Sequence, residues 1–448
     1  MPRPRPRVVL VFGNGAEHNS RAVRMTRSLI AAGFAVSWVA RAAPGLPSRE
    51  EHAGYEVLRV AAPEGARWLP APRLPDAEGP APEPAGAVLP AGTTPRHGGP
   101  GQPLRAERGG LLTEAPGRLL QALRYQLMTR RWAAAVERVA PAADLWQADG
   151  LVTLPVALRL RARHGGRVLY DSLEIHVESG RFARLPRPWK RLLGWQERRW
   201  ARAADAVMTV SRPYADVLAR RLGVRPAVVM NCPPAPPCPA PGEPGGLPRP
   251  RRFHALLGLP PETPVVLYHG YLFPHRGIER LFQAFALVPG AHLVVMGFGP
   301  RFEVYRALGT TLPHAGRVHV IPGVPPEALL EWVASADVAA MPIEGDTLNH
   351  RLTTPNKLFE ALAAGVPVVT SDLPGMAAIV HATGAGLTCD PADPADIARA
   401  IRAILEAPAA ERTAYRERAL TAARATYNWE HQSEAYLEAV RSLGVARR

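Results

Sequence analysis

Lysine is almost missing from this chain: of 54 basic residues among 448, two are lysine, Lys190 and Lys357, and the rest are arginine. A bias toward Ala, Arg, Gly and Pro replaces lysine wherever arginine serves. A retained lysine then reads as a position that needs a compact ammonium rather than a planar fork, with chance retention as the alternative that composition leaves open. Cysteine is scarce as well. Cys232, Cys238 and Cys389 are too few for a disulfide framework, and Cys232-Pro-Pro-Ala-Pro-Pro-Cys238 lacks the companion ligands of a zinc site, so a reducing cytoplasm is the expected setting. Long apolar runs are lacking too: after the basic start, Val8 to Phe12 ends at Gly13, too short for a signal peptide or a membrane span. Acid is in deficit, leaving a net charge of +15. Yet no DNA- or RNA-binding motif occurs, and the arginines are spread singly rather than gathered with aromatic platforms, which argues against a nucleic-acid partner. One segment differs. Arg181 to Arg202 holds eight basic residues, one acid and Trp189, Trp195 and Trp200. Positions 189, 192, 193, 196 and 200 have helical spacing, predicting a solvated helix with a buried stripe; peripheral contact with the inner face of a membrane is the second reading.

A chain of this length exceeds one core, and two domains of about 200 residues are the prior. Strand and helix alternate from Arg7 onward, the pattern of an α/β protein with a doubly wound parallel sheet. Pro70 to Pro103 has ten prolines and no apolar period, so an insertion spanning roughly 62–115 is expected to be disordered. Pro233 to Pro250 has nine prolines, suited to a semi-rigid connection. A second strand-helix series follows. The expected division is a first lobe over 1–232, a linker over 233–252, a second lobe over 253–426 and a tail over 427–448.

The retained Lys357 stands at the start of an expected helix over 355–364, with Thr354 as N-cap, Pro355 at the first helical position and Gly365 as C-cap. Residues three and four apart share a face, which groups Asn356, Lys357 and Glu360 and turns Leu358, Phe359 and Leu362 inward. An anion would meet open N–H groups, the positive dipole end and an ammonium together. One turn further in, the Glu360 carboxylate could accept two hydrogen bonds from a sugar diol attached to that anion. In His269-Gly-Tyr-Leu-Phe-Pro-His-Arg-Gly277, Gly270 lets the backbone approach a ligand, and Arg276 can form paired hydrogen bonds to a diphosphate. Gly297 and Gly299, and Gly13 and Gly15 in the other lobe, are further points of close approach. No metal-ligand cluster is visible.

The text LNHRLTTPNKLFEALAAGVPVVTSDLPG (348–375) resembles the donor-site segment of retaining glycosyltransferases of the large family four, which have the GT-B fold. NSRAVRMTRSLIAAGFAVSWVAR (19–41), LVTLPVALRLRARHGGRVLYDSLEIHVESG (151–180), ADAVMTVS (204–211), VVMNCPP (228–234), LYHGYLFPHRGIERLFQAF (267–285) and VVMGFGP (294–300) follow the same family in order. The resemblance implies two Rossmann-like lobes facing across a cleft, with the last helix crossing back to the first lobe. It also implies a metal-independent, hexosyltransferase-like enzyme that moves a sugar with retention from a nucleotide-diphosphate sugar to a hydroxyl acceptor, in glycan, glycolipid or natural-product glycoside synthesis. The nucleotide sugar is a co-substrate and no cofactor is implied. Arg276, Lys357 and Glu360 would serve catalysis, with Glu360 on the ribose. Gly270, Gly297, Gly299, Thr354, Asn356 and Leu358 would bind the donor, and Val324 in Gly323-Val-Pro-Pro326 would meet the base. Gly13, Gly15, Asn19, Arg21, Asp149 and Glu174 would lie on the acceptor side. The chain departs from the family at Tyr271, where an arginine is usual, at Leu352, where the first of two glutamates is usual, and at Gln147 and Leu173, where histidines are usual. Glu344 does not map onto the missing glutamate. These departures keep two alternatives open: a catalytically impaired partner or scaffold subunit, and a sugar-nucleotide epimerase of the same fold.

Overall fold

The computed structural model describes residues 5–17, 19–61, 115–237 and 249–445. The expected insertion over 62–114, the middle of the expected linker over 238–248, and Cys238 lie outside them.

Two sheets organise the chain. The first contains β1 (Arg7–Phe12), β2 (Ala35–Arg41), β3 (Arg49–His52), β4 (Tyr55–Val60), β5 (Leu145–Asp149), β6 (Arg167–Ser172), β7 (Ala206–Thr209) and β8 (Ala227–Val228), in the order β3-β4-β2-β1-β5-β6-β7-β8. The second contains β9 (Val265–Tyr271), β10 (His292–Phe298), β11 (Val318–Pro322), β12 (Val338–Met341), β13 (Val368–Ser371) and β14 (Gly386–Cys389), in the order β11-β10-β9-β12-β13-β14. All pairings are parallel except β3 with β4. Both orders wind outward in two directions from a central strand, which opens a crevice at the carboxyl ends where the order reverses. Continuous apolar runs such as Val8–Phe12 and Val265–Tyr268 are fully buried because helices cover both faces. Sequence reading missed β3. Arg-Glu-Glu-His carries no apolar alternation and forms an edge hairpin with β4, where charge is tolerated.

The helix Trp429–Arg441 packs on the first lobe. Trp429, Tyr436 and Val440 join Val8, Leu10 and Phe12 in one core, and the Tyr436 hydroxyl donates to Gln147 Oε1 at 2.7 Å. Gln147, standing where the family has a histidine, is thereby committed to this packing; it is fully buried.

The helix Arg187–Ala203 departs from the expected stripe. Glu197 turns inward to accept from the Tyr170 hydroxyl at 3.0 Å, Ala201 is buried, and Trp200 packs on the core. That rotation leaves Leu192 52% exposed, beside Trp195, which lies outside the expected stripe and is 57% exposed.

Candidate functional site

The helix Asn356–Ala363 starts one residue later than the spacing predicts. Pro355 occupies the N-cap with extended backbone, no side chain caps the helix, and the Thr354 hydroxyl is buried with no hydrogen-bond partner. Its expected capping role is therefore not realised, and the oxygen stays available beside the helix terminus. The terminus faces the end of β9. Lys357 Nζ lies 3.6 Å from the centroid of the Tyr268 ring, a cation–π contact. Gly270 adopts φ 116°, a backbone conformation that L side chains rarely take, and a Cβ there would be in ordinary contact with the Lys357 side chain, 3.6 Å from Nζ. Desolvation pulls the Lys357 pKa well below the ordinary lysine value, the Arg276 guanidinium lowers it further, and Glu360 opposes both. Arg276 itself makes no ion pair among the described residues. Lys357 thus feels one guanidinium and one carboxylate, and that carboxylate is shared: His269 Nε2 is 2.8 Å from Glu360 Oε2.

Sequence reading missed His269. It is 2% exposed near the carboxyl end of β9, and its adjacency to Gly270 was the available signal. Arg24 was missed as well. It reaches from the first lobe to the side chain of Asn231, stacks 5.8 Å over the Trp429 ring, and has a buried Nε with no partner. Burial lowers its pKa, and the Glu360 carboxylate opposes that shift. Its signal was the three-residue spacing from Arg21 on one helix.

Other expected donor residues are placed differently. Leu358 is fully buried in the core, and its N–H is given to Pro355 O at 3.0 Å, so neither its side chain nor its amide is open to a ligand. Asn356 is exposed at the helix start. A Cβ on Gly297 would come 1.9 Å from Gly270 O, and one on Gly299 would come 2.7 Å from Leu272 O. Both glycines are therefore needed for β10 and its loop to pack on the β9 loop, whatever else approaches them. Val324 is partly buried against the second core.

In the first lobe, Asn19 caps the helix Ser20–Ala31 by accepting from Ala22 N, and its Nδ2 donates to Asp149 Oδ2 at 3.3 Å. Asp149, at the end of β5, is pushed up to about 7, first by desolvation and then by Asp171, with Arg21 and Asn19 opposing. Arg21 is not at the cleft surface. It is 4% exposed, forks onto both Asp171 oxygens at 2.9 and 3.2 Å, and donates to Val229 O, which makes it part of the frame behind Asp149. Gly13 stands against Val152 and Thr153, and Gly15 against Leu46 and Ala43, so both are close-packed turns. Glu174 is exposed and takes a hydrogen bond from Ser179; His176 Nε2 accepts from Leu151 N at 3.1 Å. Among the described residues no group of three or more His, Cys, Asp or Glu could hold a metal ion, and no helix is long and apolar enough to cross a membrane.

Residues 251–422 match the family described as Glycosyl transferases group 1. The chain is 30% identical over 278 residues to the D-inositol 3-phosphate glycosyltransferase of Acidothermus cellulolyticus, an alignment that covers 59% of this chain and 58% of that protein. The chain thus spans less than two thirds of the curated relative it matches. Over 99% of its length it superposes on sucrose-phosphate synthase from Thermosynechococcus elongatus, covering all of that chain, with a TM-score of 0.68 at 20% identity. It also superposes on HepE from Anabaena in complex with UDP and glucose, over 98% of this chain and 100% of that one, with a TM-score of 0.64 at 14% identity. Two doubly wound sheets in this arrangement, with that match over the second of them, make the fold GT-B and residues 251–422 a glycosyl transferases group 1 domain.

Proposed function

We propose that the protein is a retaining, metal-independent glycosyltransferase that takes a sugar from a nucleotide-diphosphate donor and passes it to a hydroxyl acceptor. One observation carries the reading: Lys357 lies in the first turn of the helix Asn356–Ala363 against Tyr268, in the field of the Arg276 guanidinium, while Glu360 is engaged by His269. Desolvation and the Arg276 guanidinium disfavour the Lys357 ammonium until an anion joins them. A leaving diphosphate is such an anion, and the charge it gains as the glycosidic bond breaks is stabilised more than that of the ground state. Thr354 adds a hydroxyl donor, Glu360 keeps one carboxylate oxygen for the ribose, and Gly270 and Val324 line the path to the base. HepE was crystallised with UDP and glucose, which supports a nucleotide sugar as donor here. Asp149 and Glu174 face the acceptor and are the nearby polar groups, since no histidine stands at position 147 or 173; the resemblance implies that the acceptor proton passes to a donor phosphate oxygen.

The test is a panel of UDP-, GDP- and ADP-sugars scored by thermal shift and by release of nucleoside diphosphate. A donor that binds only the native state raises the melting temperature. A panel in which no nucleotide sugar shifts melting or is turned over would overturn the reading, and loss of turnover in a chelator would overturn its metal-independent part.

The exposed Leu192 and Trp195 favour a second site of action for the same enzyme, the surface of an anionic membrane. Arg187, Arg191, Arg198 and Arg199 are exposed on the same helix, and the Arg199 guanidinium lies 5.8 Å from the Trp195 ring centroid.

A further inference from the structure

Between the second sheet and the donor helix, one short segment leaves its own lobe. The helix Leu348–Arg351 is capped by the Thr347 hydroxyl, which accepts from His350 N at 3.1 Å. Its Asn349 is 7% exposed. Asn349 Oδ1 accepts from Ile175 N at 3.0 Å, and its backbone carbonyl accepts from the Tyr214 hydroxyl at 2.8 Å; both partners belong to the first lobe. Leu348 and Leu352 pack against the same first-lobe core that contains Ile175 and Tyr214. From behind, the helix Pro374–Thr383 presses on the segment: a Cβ on Gly375 would come 2.5 Å from Leu352 O. The segment is thus gripped on both sides, and four residues after Leu352 the helix Asn356–Ala363 begins.

We propose that Asn349 is a positioning residue: with Leu348 and Leu352 it clamps this segment onto Ile175 and Tyr214, and so fixes the donor-helix terminus against the acceptor face beside Glu174. The inference rests on the donor assignment made above. It also gives Leu352 a purpose at the position where the resembled family carries a glutamate, because a carboxylate could not pack on that core without desolvation cost. The function of the clamp follows from geometry. In transfer, the bond from the anomeric carbon to the diphosphate oxygen breaks, the acceptor oxygen forms the new one, and its proton goes to the diphosphate. A loose terminus admits water in the acceptor's place, giving free sugar and nucleoside diphosphate. Reactivity depends on alignment within fractions of an ångström, so the clamp governs the partition between acceptor and water more than it governs donor affinity.

Asn349→Ala and Tyr214→Phe test it; the second removes only a hydroxyl and keeps the ring, so it serves if the first fails to fold. In hydrogen exchange on the full chain without ligand, the Leu358 and Phe359 amides should exchange about tenfold faster in both variants, because local opening transmits from the clamp to the helix start. With a working donor and acceptor, the ratio of hydrolysis to transfer should rise severalfold while the donor dissociation constant holds. A purely structural Asn349 would lower the melting temperature and leave that ratio alone. Unchanged exchange at Leu358 and Phe359 in both variants, or an unchanged ratio, would overturn the proposal. A wild type that turns over no donor would instead sink the glycosyltransferase reading, and the exchange measurement would still decide the clamp.

Discussion

Lys357 packs its ammonium on one aromatic face, 3.6 Å from the Tyr268 ring centroid. A guanidinium there would have to place a planar fork with its own hydrogen-bond partners where a compact ammonium now rests on the ring. Lys357→Arg is expected to lower kcat by about tenfold or more with little change in melting temperature, and Lys357→Ala to do at least as much. Full activity in Lys357→Arg would show that the near-absence of lysine elsewhere says nothing about this position. Asp149 makes a pH-dependent prediction. Folding raises its pKa from 3.8 to about 7, so across that window the native state holds a proton that the unfolded chain has lost, and stability falls as pH rises through it. Asp149→Asn removes the term. Relative to wild type, the variant should melt on the order of 2–4 °C higher at about pH 8 and show no gain near about pH 3, where Asp149 is protonated in both the folded and the unfolded chain. An equal gain at both values would assign the effect to packing. At this scale the residues legible in sequence were those on regular elements: Lys357 and Glu360 from helical spacing, Asn19 from cap chemistry. Leu358 faces inward as the spacing predicts. Arg21, expected on the acceptor side, is buried on Asp171, because an outward helical face and a buried one are told apart by what packs on them. His269 and Arg24 escaped because their partners, Glu360 and Asn231, are distant in sequence.

At the scale of elements, periodicity located nearly every strand, since buried parallel strands read as unbroken apolar runs. It failed where polarity was turned inward. The helix Arg187–Ala203 rotates to give Glu197 to Tyr170, and its apolar residue Leu192 is exposed as a consequence, beside the exposed Trp195. The proposed role of that face is open to a direct test. Full-length protein should co-sediment with vesicles containing phosphatidylglycerol and not with pure phosphatidylcholine, and binding should weaken as salt screens the arginines. Trp195→Glu, at a position with no core contact to lose, should abolish sedimentation without changing the melting temperature. Equal binding by the variant would remove this helix from membrane contact. The loop ends of β9 and β10 illustrate a different limit. The glycines at 297 and 299 were legible as close approaches, but their nearest neighbours are the backbone oxygens of Gly270 and Leu272, a register between strands that a single sequence does not encode.

Across the whole molecule, the chain's last helix completes the core built by its first strand. Trp429 Nε1 donates to Ser28 Oγ at 3.0 Å, Met230 N donates to Gln432 Oε1 at 2.9 Å, and Tyr436 and Val440 are fully buried among β1 residues. Contacts of this sequence separation close late in folding, because their loop entropy is met before their burial is gained. The first lobe is therefore incomplete until the tail arrives, whereas the second lobe, whose cores are drawn from residues 230–427, is not. Tyr436→Phe isolates the polar part of that joint. It leaves Gln147 Oε1 buried without its donor, at a cost of about 1–3 kcal/mol, and the first lobe should melt earlier while nucleotide binding by the second lobe is unchanged. Ending the chain after Thr426 removes the whole joint. Limited proteolysis read by mass spectrometry should then cut the first lobe rapidly and spare a fragment over roughly 251–422, because unfolding follows the loss of buried apolar area in one lobe only. Equal protection of both lobes in the shortened chain would mean that the first lobe closes its core without the tail, and that the crossing helix serves the cleft rather than the fold.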